Sequence, residues 1–149
     1  MCELSVLNAY DQVANNLYQG CYPEKGTMLD TKFTYAVNLT RNTQYHYVTW
    51  GDNRQYVINC FFEDESFIPP VHLLYNLADT VNEFRKHGNV LVHCQAGINR
   101  SGLINALALI RGPEKLTPDE AINLLREKRD KYVLCNKEFE KFLKSSVHV

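Results

Sequence analysis

One stretch, Asn89 to Gly102, constrains the fold of this chain more than any other. It begins with an apolar run, Val90 to Val92, that predicts a short buried strand. The run leads into Cys94, a five-residue loop, Arg100 and a hydroxyl residue, Ser101, where a helix is expected to start. A strand that passes through such a loop into a helix predicts a phosphate pocket with a nucleophile at its floor.

The loop has the residue types that binding of a phosphate dianion requires. A loop that enters a helix N-terminus can turn the N–H groups of residues 95 to 100 inward, where they and the helix dipole attract an anion. Gly97 supplies a backbone conformation that other residues resist. Arg100 can donate two parallel hydrogen bonds to phosphate oxygens. The same positive field favours the thiolate of Cys94, which we expect to attack phosphorus and form a phosphocysteine.

Chance does not explain the whole pattern. A cysteine and an arginine at this spacing should occur in roughly a tenth of chains this long. Adding His93, Gly97 and Ser101, the preceding strand and the following helix lowers the expected frequency to about one in ten thousand.

The segment from His93 to Ser101 resembles the signature of the cysteine-dependent protein tyrosine phosphatases, most closely the dual-specificity branch. The resemblance extends along nearly the whole chain and includes a closing segment, Arg129 to Phe139. It implies hydrolysis of phosphotyrosine, and also of phosphoserine or phosphothreonine, without a cofactor or a metal, because Arg100 and the backbone amides neutralise the dianion. The implied substrate-binding positions are Gln95, Ala96, Gly97, Ile98, Asn99 and Arg100.

The resemblance also implies roles around the loop. His93 would orient the loop and tune the thiolate, and the alternative is a plain core histidine. Ser101 would donate a hydrogen bond to the sulfur as it leaves in the second step. A helix N-cap is the alternative for Ser101, and both roles can hold together. Asn136 is expected to cap the last helix and would also brace the loop from behind.

The leaving oxygen needs a proton, and the donor is usually a carboxylic acid in a mobile loop. The family has an aspartate just after the strand that precedes the crossover helix, and Asp64 occupies that place. With its neighbours Glu63 and Glu65 it could instead form a solvated acidic turn. Asp52, in Trp50-Gly-Asp52, resembles the Trp-Pro-Asp loop of classical tyrosine phosphatases only superficially, since it precedes the strand and follows no proline.

The remaining chain predicts further strands and helices. Residues 1–16 carry no chemical motif and give a lead-in helix or strand. Leu17–Gly20 resembles the family's first strand and turn, and further strands are predicted at Tyr35–Thr40 and Tyr56–Phe62. Helices are predicted from Pro69-Pro70 to Gly88, from Leu103 to Ile110, after the capping box Thr117-Pro-Asp-Glu120, and after Asn136. The expected fold is α/β, a single dual-specificity phosphatase-like domain over residues 1–149 with a central, mostly parallel sheet flanked by helices.

Composition limits the partners. The net charge is −1, so nothing global attracts nucleic acid or an anionic membrane. No signal peptide or bilayer-spanning apolar run is seen. The five cysteines are scattered, without zinc-ligand spacing. Because a thiolate needs a reducing compartment, we expect an intracellular protein, cytoplasmic or nuclear, that acts on a phosphoprotein. Nothing indicates the oligomeric state.

Two rival functions stay open. Asn99-Arg-Ser-Gly102 leans toward the Asn-Arg-Thr-Gly of RNA 5′-triphosphatases and related polyphosphate phosphatases. The variable loop positions, however, lack the lysines that highly charged substrates such as phosphoinositide head groups favour. The other rival is a pseudophosphatase that only binds phosphoproteins. Intact Cys94, Arg100 and Asp64 argue against it, since such proteins commonly lose one of these groups.

Overall fold

The computed structural model describes residues 7–145, 147 and 148. Within these residues the elements follow the order β1, β2, β3, β4, α1, β5, α2, α3, α4. The strands are β1 (Tyr10–Ala14), β2 (Leu17–Gly20), β3 (Tyr35–Asn38), β4 (Tyr56–Asn59) and β5 (Val90–His93). The helices are α1 (Val71–Arg85), α2 (Arg100–Arg111), α3 (Pro118–Lys128) and α4 (Lys137–Ser145).

The strands form one sheet in the order β1-β2-β5-β3-β4. All neighbours pair in parallel except β1, which runs antiparallel to β2. β5 lies at the centre because its side chains are apolar on both faces, and each of its residues is buried. His93 at its end is in register with Gly20 on β2 and Asn38 on β3. The predicted α/β fold with a mostly parallel sheet is confirmed.

The two faces of the sheet are covered differently. One face contributes Val37, Val90 and Val92 to a core shared with the four helices. The other face packs Tyr18 and Leu91 against side chains of the connecting segments, namely Leu29, Phe33 and Tyr45. Helix α2 is buried on nearly all sides from residue 101 to residue 110 because it packs against β5 and the other three helices. That position holds the start of α2 directly behind the end of β5.

Several element ends differ from the sequence predictions. The predicted strands that end at Thr40 and Phe62 stop at Asn38 and Asn59, where side-chain hydrogen bonds replace the strand pairing. Asn38 Nδ2 donates to Asn59 Oδ1 at 2.9 Å, and Asn38 Oδ1 accepts from the Thr40 N–H at 3.0 Å. Of the helix or strand expected in the lead-in segment, the described residues 7–16 contain the strand, β1, and the rest of that segment lies outside the described residues. The chain therefore leaves the sheet early and turns toward the end of β5.

The start of α3 agrees with the sequence prediction, whereas one end of α1 and the start of α2 differ from it. Thr117 and Glu120 form the predicted capping box at the start of α3, with hydrogen bonds of 3.2 and 2.9 Å. Helix α1 ends at Arg85, three residues before the predicted Gly88. Helix α2 starts at Arg100 with Asn99 as N-cap, earlier than its apolar run suggests. In the described part of the chain, no helix combines the length and the apolar character needed to cross a membrane.

Candidate active site

Residues 94–100, named the phosphate loop after the function that the sequence predicts for them, join β5 to α2 and are held from the outside through their carbonyl groups. The Gln95 carbonyl accepts a hydrogen bond from the Tyr22 N–H at 3.0 Å. The Ile98 carbonyl accepts one from the Leu134 N–H at 3.2 Å. These bonds fix both ends of the loop to segments that follow β2 and α3.

The two middle carbonyls of the loop are bound by buried side chains. Arg129 donates from Nη2 to the Ala96 carbonyl at 3.1 Å and from Nε to the Gly97 carbonyl at 3.3 Å. Gln19, on β2, donates from Nε2 to the same Gly97 carbonyl at 3.0 Å. No backbone carbonyl of the described residues accepts from the N–H groups of residues 95–98. The loop carbonyls therefore accept hydrogen bonds from outside the loop, and the N–H groups of residues 95–98 stay available to bind an anion.

Gly97 is required at the tightest point of the loop. Its φ of +73° lies in the left-handed region that side chains disfavour. A Cβ at this position would lie 2.5 Å from the Gly20 carbonyl and 2.8 Å from Arg129 Nη2. Any other residue would therefore displace both β2 and the side chain that binds the loop.

Cys94 and Ser101 meet at the floor of the loop. Cys94 is 3% exposed, and its Sγ lies 3.4 Å from the Ser101 Oγ. Ser101 is the second residue of α2 and is fully buried. The N-cap alternative for Ser101 is wrong, because Asn99 is the residue at that position. The Ser101 hydroxyl is instead placed to contact the sulfur.

Arg100 is oriented by two strand-end carbonyls. Its Nη1 donates to the carbonyls of Leu39 at 3.3 Å and Phe62 at 3.2 Å. Its Nε is buried and has no hydrogen-bond partner among the described residues. A phosphate oxygen is a suitable acceptor for such a donor, since a guanidinium can bind two oxygens in parallel. The early ends of β3 and β4 supply the carbonyls that hold this arginine.

His93 is fully buried and supports the loop by packing. Its Nε2 lies 2.9 Å from the Tyr45 hydroxyl, and its ring packs edge-on against Tyr22 and Tyr45. Burial lowers the pKa of His93 to about 4, so the ring is neutral at pH 7. It therefore adds no positive charge beside Cys94, and any effect of His93 on the Cys94 thiolate comes from holding the loop in place.

Asp64 is tied directly to the phosphate loop. Asn99 donates from Nδ2 to Asp64 Oδ2 at 3.1 Å. Asn136 donates from Nδ2 to Asp64 Oδ1 at 2.8 Å and to the Glu65 carbonyl at 2.9 Å. The backbone N–H of Asn136 donates in turn to Asn99 Oδ1 at 2.9 Å. Two amide side chains thus hold the carboxylate at the edge of the loop.

The other acidic candidates lie elsewhere. Glu63 forms an exposed ion pair with Arg41 at 3.3 Å. Glu65 contacts Asn136 through its backbone carbonyl. Asp52 lies in an exposed turn before β4. Of the four candidate carboxyl groups, Asp64 is the one that accepts a hydrogen bond from a side chain of the phosphate loop, that of Asn99.

The side chains of the variable loop positions fall into two groups. Gln95 is exposed and Ala96 is half-buried, so both can face a substrate. Ile98 is 2% exposed and packs in the core, and Asn99 points toward Asp64 and Asn136. The side chains of Ile98 and Asn99 therefore face the protein, and the predicted contact of these two positions with a phosphate would be made by their backbone N–H groups. A loop has no periodicity from which these directions could be read.

Sequence reasoning also missed Gln19 and Arg129 as loop-binding residues. Both are buried polar residues far from the loop in sequence, and no local pattern marks them. Arg129 belongs to the closing segment that resembles the family, and that resemblance is the sequence signal that could have identified it. In the described residues, no cluster of three or more His, Cys, Asp and Glu could hold a metal ion.

Comparisons with known proteins point to one family. Residues 17–146 match the family described as "Dual specificity phosphatase, catalytic domain". The chain is 29% identical over 120 residues to "Putative tyrosine phosphatase 123R" of Invertebrate iridescent virus 6, which covers 79% of this chain and 78% of the viral one. It is 38% identical over 64 residues to "Protein tyrosine phosphatase domain-containing protein 1" of Mus musculus. That match covers 39% of this chain and only 8% of the mouse protein.

A solved structure described as "Tk-PTP in the active form" shares the fold. It superposes with a TM-score of 0.70 at 21% identity, and the match covers 93% of this chain and 98% of that one. At this identity the likeness concerns the arrangement of the sheet and helices.

Proposed function

Since this chain belongs to the family of dual specificity phosphatase catalytic domains and is a cysteine-dependent phosphatase, we propose that it hydrolyses phosphotyrosine, and also phosphoserine and phosphothreonine, on proteins. The reaction proceeds through a phosphocysteine on Cys94. One observation carries this proposal: Cys94 Sγ lies 3.4 Å from Ser101 Oγ at the floor of a loop in which the carbonyls of residues 95–98 are all bound from outside. A dianion in that loop meets N–H donors and the nucleophile together.

In the first step, the loop N–H groups and Arg100 bind the phosphate oxygens. The Cys94 thiolate attacks phosphorus, the sulfur–phosphorus bond forms, and the bond from phosphorus to the leaving oxygen breaks. Asp64 gives a proton to that oxygen, which leaves as a neutral hydroxyl. Placement of all groups before attack lowers the entropic part of the barrier.

In the second step, water attacks the phosphocysteine and Asp64, now a carboxylate, accepts a proton from the water. The amides of Asn99 and Asn136 each donate to one Asp64 oxygen and so hold the carboxyl group beside the loop in both steps. Cys94 leaves as a thiolate and receives a hydrogen bond from the Ser101 hydroxyl. The need for a free thiolate supports action in a reducing, intracellular compartment.

The charges near the site favour a phosphoprotein over RNA. Gln95 and Ala96, which can face the substrate, are neutral. Arg41 is paired with Glu63, and Arg54 lies in a separate groove beside Tyr35 and the edge strand β4. A triphosphate end and a nucleic-acid strand carry many more charges than one dianion site neutralises. The phosphoprotein reading needs only the loop and Arg100.

The test compares kcat/KM for four substrates: a phosphotyrosine peptide, the matched phosphoserine and phosphothreonine peptides, and 5′-triphosphorylated RNA. We expect peptide hydrolysis to exceed γ-phosphate release at moderate salt, with Cys94→Ser as the inactive control. Faster release from RNA, with an affinity that falls steeply as salt rises, would replace this proposal by the RNA reading. Binding of phosphopeptides without any turnover would replace it by the pseudophosphatase reading.

A further inference from the structure

Arg129 connects the phosphate loop to the first strand. Its side chain has 0% exposure and follows α3 directly. Two of its nitrogens donate to the loop carbonyls of Ala96 and Gly97, as described above. The third, Nη1, donates to the Asn8 carbonyl at 2.6 Å and to Asp11 Oδ2 on β1 at 2.9 Å. All three guanidinium nitrogens of Arg129 are therefore engaged.

Asp11 is the counter-charge that allows this arginine to be buried. A guanidinium without solvent contact is stable only when it is paired and hydrogen-bonded. The Asp11 side chain is 17% exposed, so the pair is largely shielded from water. The planar guanidinium has a fixed fork of donors. Holding one side of the fork at Asp11 therefore sets the direction of the other two donors.

The direction of these donors is transmitted to the anion site through the peptide planes. The carbonyl of one residue and the N–H of the next lie in one rigid plane and point in opposite directions. Arg129 holds the Ala96 and Gly97 carbonyls outward, and this turns the N–H groups of Gly97 and Ile98 inward. Phosphate binding thus depends on a salt bridge that contacts no substrate.

We propose that Asp11 is a positioning residue that raises the affinity of the loop for phosphate by fixing Arg129. This inference rests on the proposed function, because it assigns a supporting residue to the same site. Strand β1 lies before residues 17–146, the part of the chain that matches the family. The contribution of Asp11 therefore comes from outside the matched segment.

The test measures the dissociation constant for inorganic phosphate by phosphorus NMR in the Cys94→Ser protein, and kcat/KM for an aryl phosphate in the protein with Cys94 intact. The matched control is Glu114, which follows the end of α2 opposite the loop and pairs with the buried Arg85. Arg85 and Glu114 side chains are 6% and 23% exposed, similar to the Arg129–Asp11 pair. Removing either carboxylate leaves a buried arginine unpaired.

We expect Asp11→Ala to raise the phosphate dissociation constant and lower kcat/KM by about tenfold, the loss that corresponds to one charge-assisted hydrogen bond. Glu114→Ala should lower Tm but leave both quantities within about twofold of the starting protein. The proposal fails if Asp11→Ala binds phosphate as tightly as its parent. It also fails if Glu114→Ala weakens binding equally, since the effect is then general destabilisation.

If Asp11→Ala does not fold, the isosteric pair Asp11→Asn and Glu114→Gln makes the same comparison with smaller losses. Phosphate binding in the Cys94→Ser background needs no turnover, so this test is separate from the proposed function. Weaker phosphate binding by the Asp11 variants in a chain that never hydrolyses phosphopeptides would support Asp11 and overturn only the function. Hydrolysis of phosphopeptides by the unaltered chain, together with unchanged phosphate binding by the Asp11 variants, would support the proposed function and overturn the role of Asp11.

Discussion

Asn136 holds Asp64 with one end of its side chain and starts a helix with the other. Its Nδ2 donates to Asp64 Oδ1 at 2.8 Å. Its Oδ1 accepts from the N–H groups of Glu138 at 3.1 Å and Phe139 at 3.3 Å, the first turn of α4. The predicted cap is confirmed, and the same residue also fixes the proposed acid. The start of α4 and the position of the proposed acid therefore depend on the same side chain.

Two substitutions at Asn136 should separate these contributions. Asn136→Ser keeps a capping oxygen but is too short to reach Asp64, so we expect near-normal stability and a lower kcat for substrates with poor leaving groups. Asn136→Ala loses both contacts and should also lower the free energy of unfolding by about 1 kcal/mol. Urea unfolding and steady-state kinetics measure the two effects. Full activity of the serine variant would show that the Asp64 contact is not used.

Replacing the nucleophile should abolish the chemistry and spare the fold. Cys94→Ser is expected to lower turnover of an aryl phosphate by at least roughly a thousandfold, because serine does not form the anion that attacks phosphorus. The loop donors remain, so phosphate binding should persist. Circular dichroism checks the fold, and a phosphate titration checks the loop. Substantial residual turnover would mean that another group is the nucleophile.

Removing the proposed acid should have an effect that depends on the substrate. Asp64→Asn is expected to lower kcat by about a hundredfold or more for poor leaving groups, which need a proton, and much less for good ones. The variant should also lose the decline in rate at high pH, since no acid remains to be deprotonated. Asp52→Asn, Glu63→Gln and Glu65→Gln are the controls. If one of these shows the loss instead, the acid is misassigned.

Burial of His93 predicts a pH dependence of stability. The pKa of His93 is lowered from 6.5 in the unfolded chain to about 4 in the folded one. As pH falls from 6.5 to 4, the unfolded chain binds a proton that the folded chain excludes, so the free energy of unfolding decreases. The loss reaches about 3 kcal/mol at the acid end, and the contribution is fully retained above pH 6.5.

Urea unfolding between pH 4.5 and 7.5 measures this dependence. His93→Gln should flatten the curve, because glutamine does not titrate, while substitution of the exposed His72 by glutamine should leave the slope unchanged. Parallel curves for His93→Gln and the unaltered chain would contradict a neutral, buried His93.

The phosphate loop was predictable from sequence because its main determinants are local. The strand, Cys94, Gly97, Arg100 and the start of α2 are contiguous, and each has a residue-level cause. The positions of Asp64 and Asn136 were reachable through the family resemblance. The structure adds the hydrogen bonds that join them.

The supports of the loop were not predictable because they are distant in sequence. Gln19 is separated from Gly97 by 78 residues, and Asp11 from Arg129 by 118. Buried polar residues of this kind leave no periodic trace. The side-chain directions of Ile98 and Asn99 depend on contacts with other distant segments, so the sequence could not predict them.

The outward hydrogen bonds of the phosphate loop have a consequence for how activity arises during folding. A peptide of residues 89–102 would contain the whole signature but none of the groups that shape it, since Tyr22, Leu134 and Arg129 lie elsewhere. Closing such long chain segments is entropically costly and is completed only as the tertiary contacts form. Phosphatase activity should therefore return late in refolding, after the sheet and α3 have docked. A partly folded chain should contain the Cys94 thiol but have no phosphatase activity.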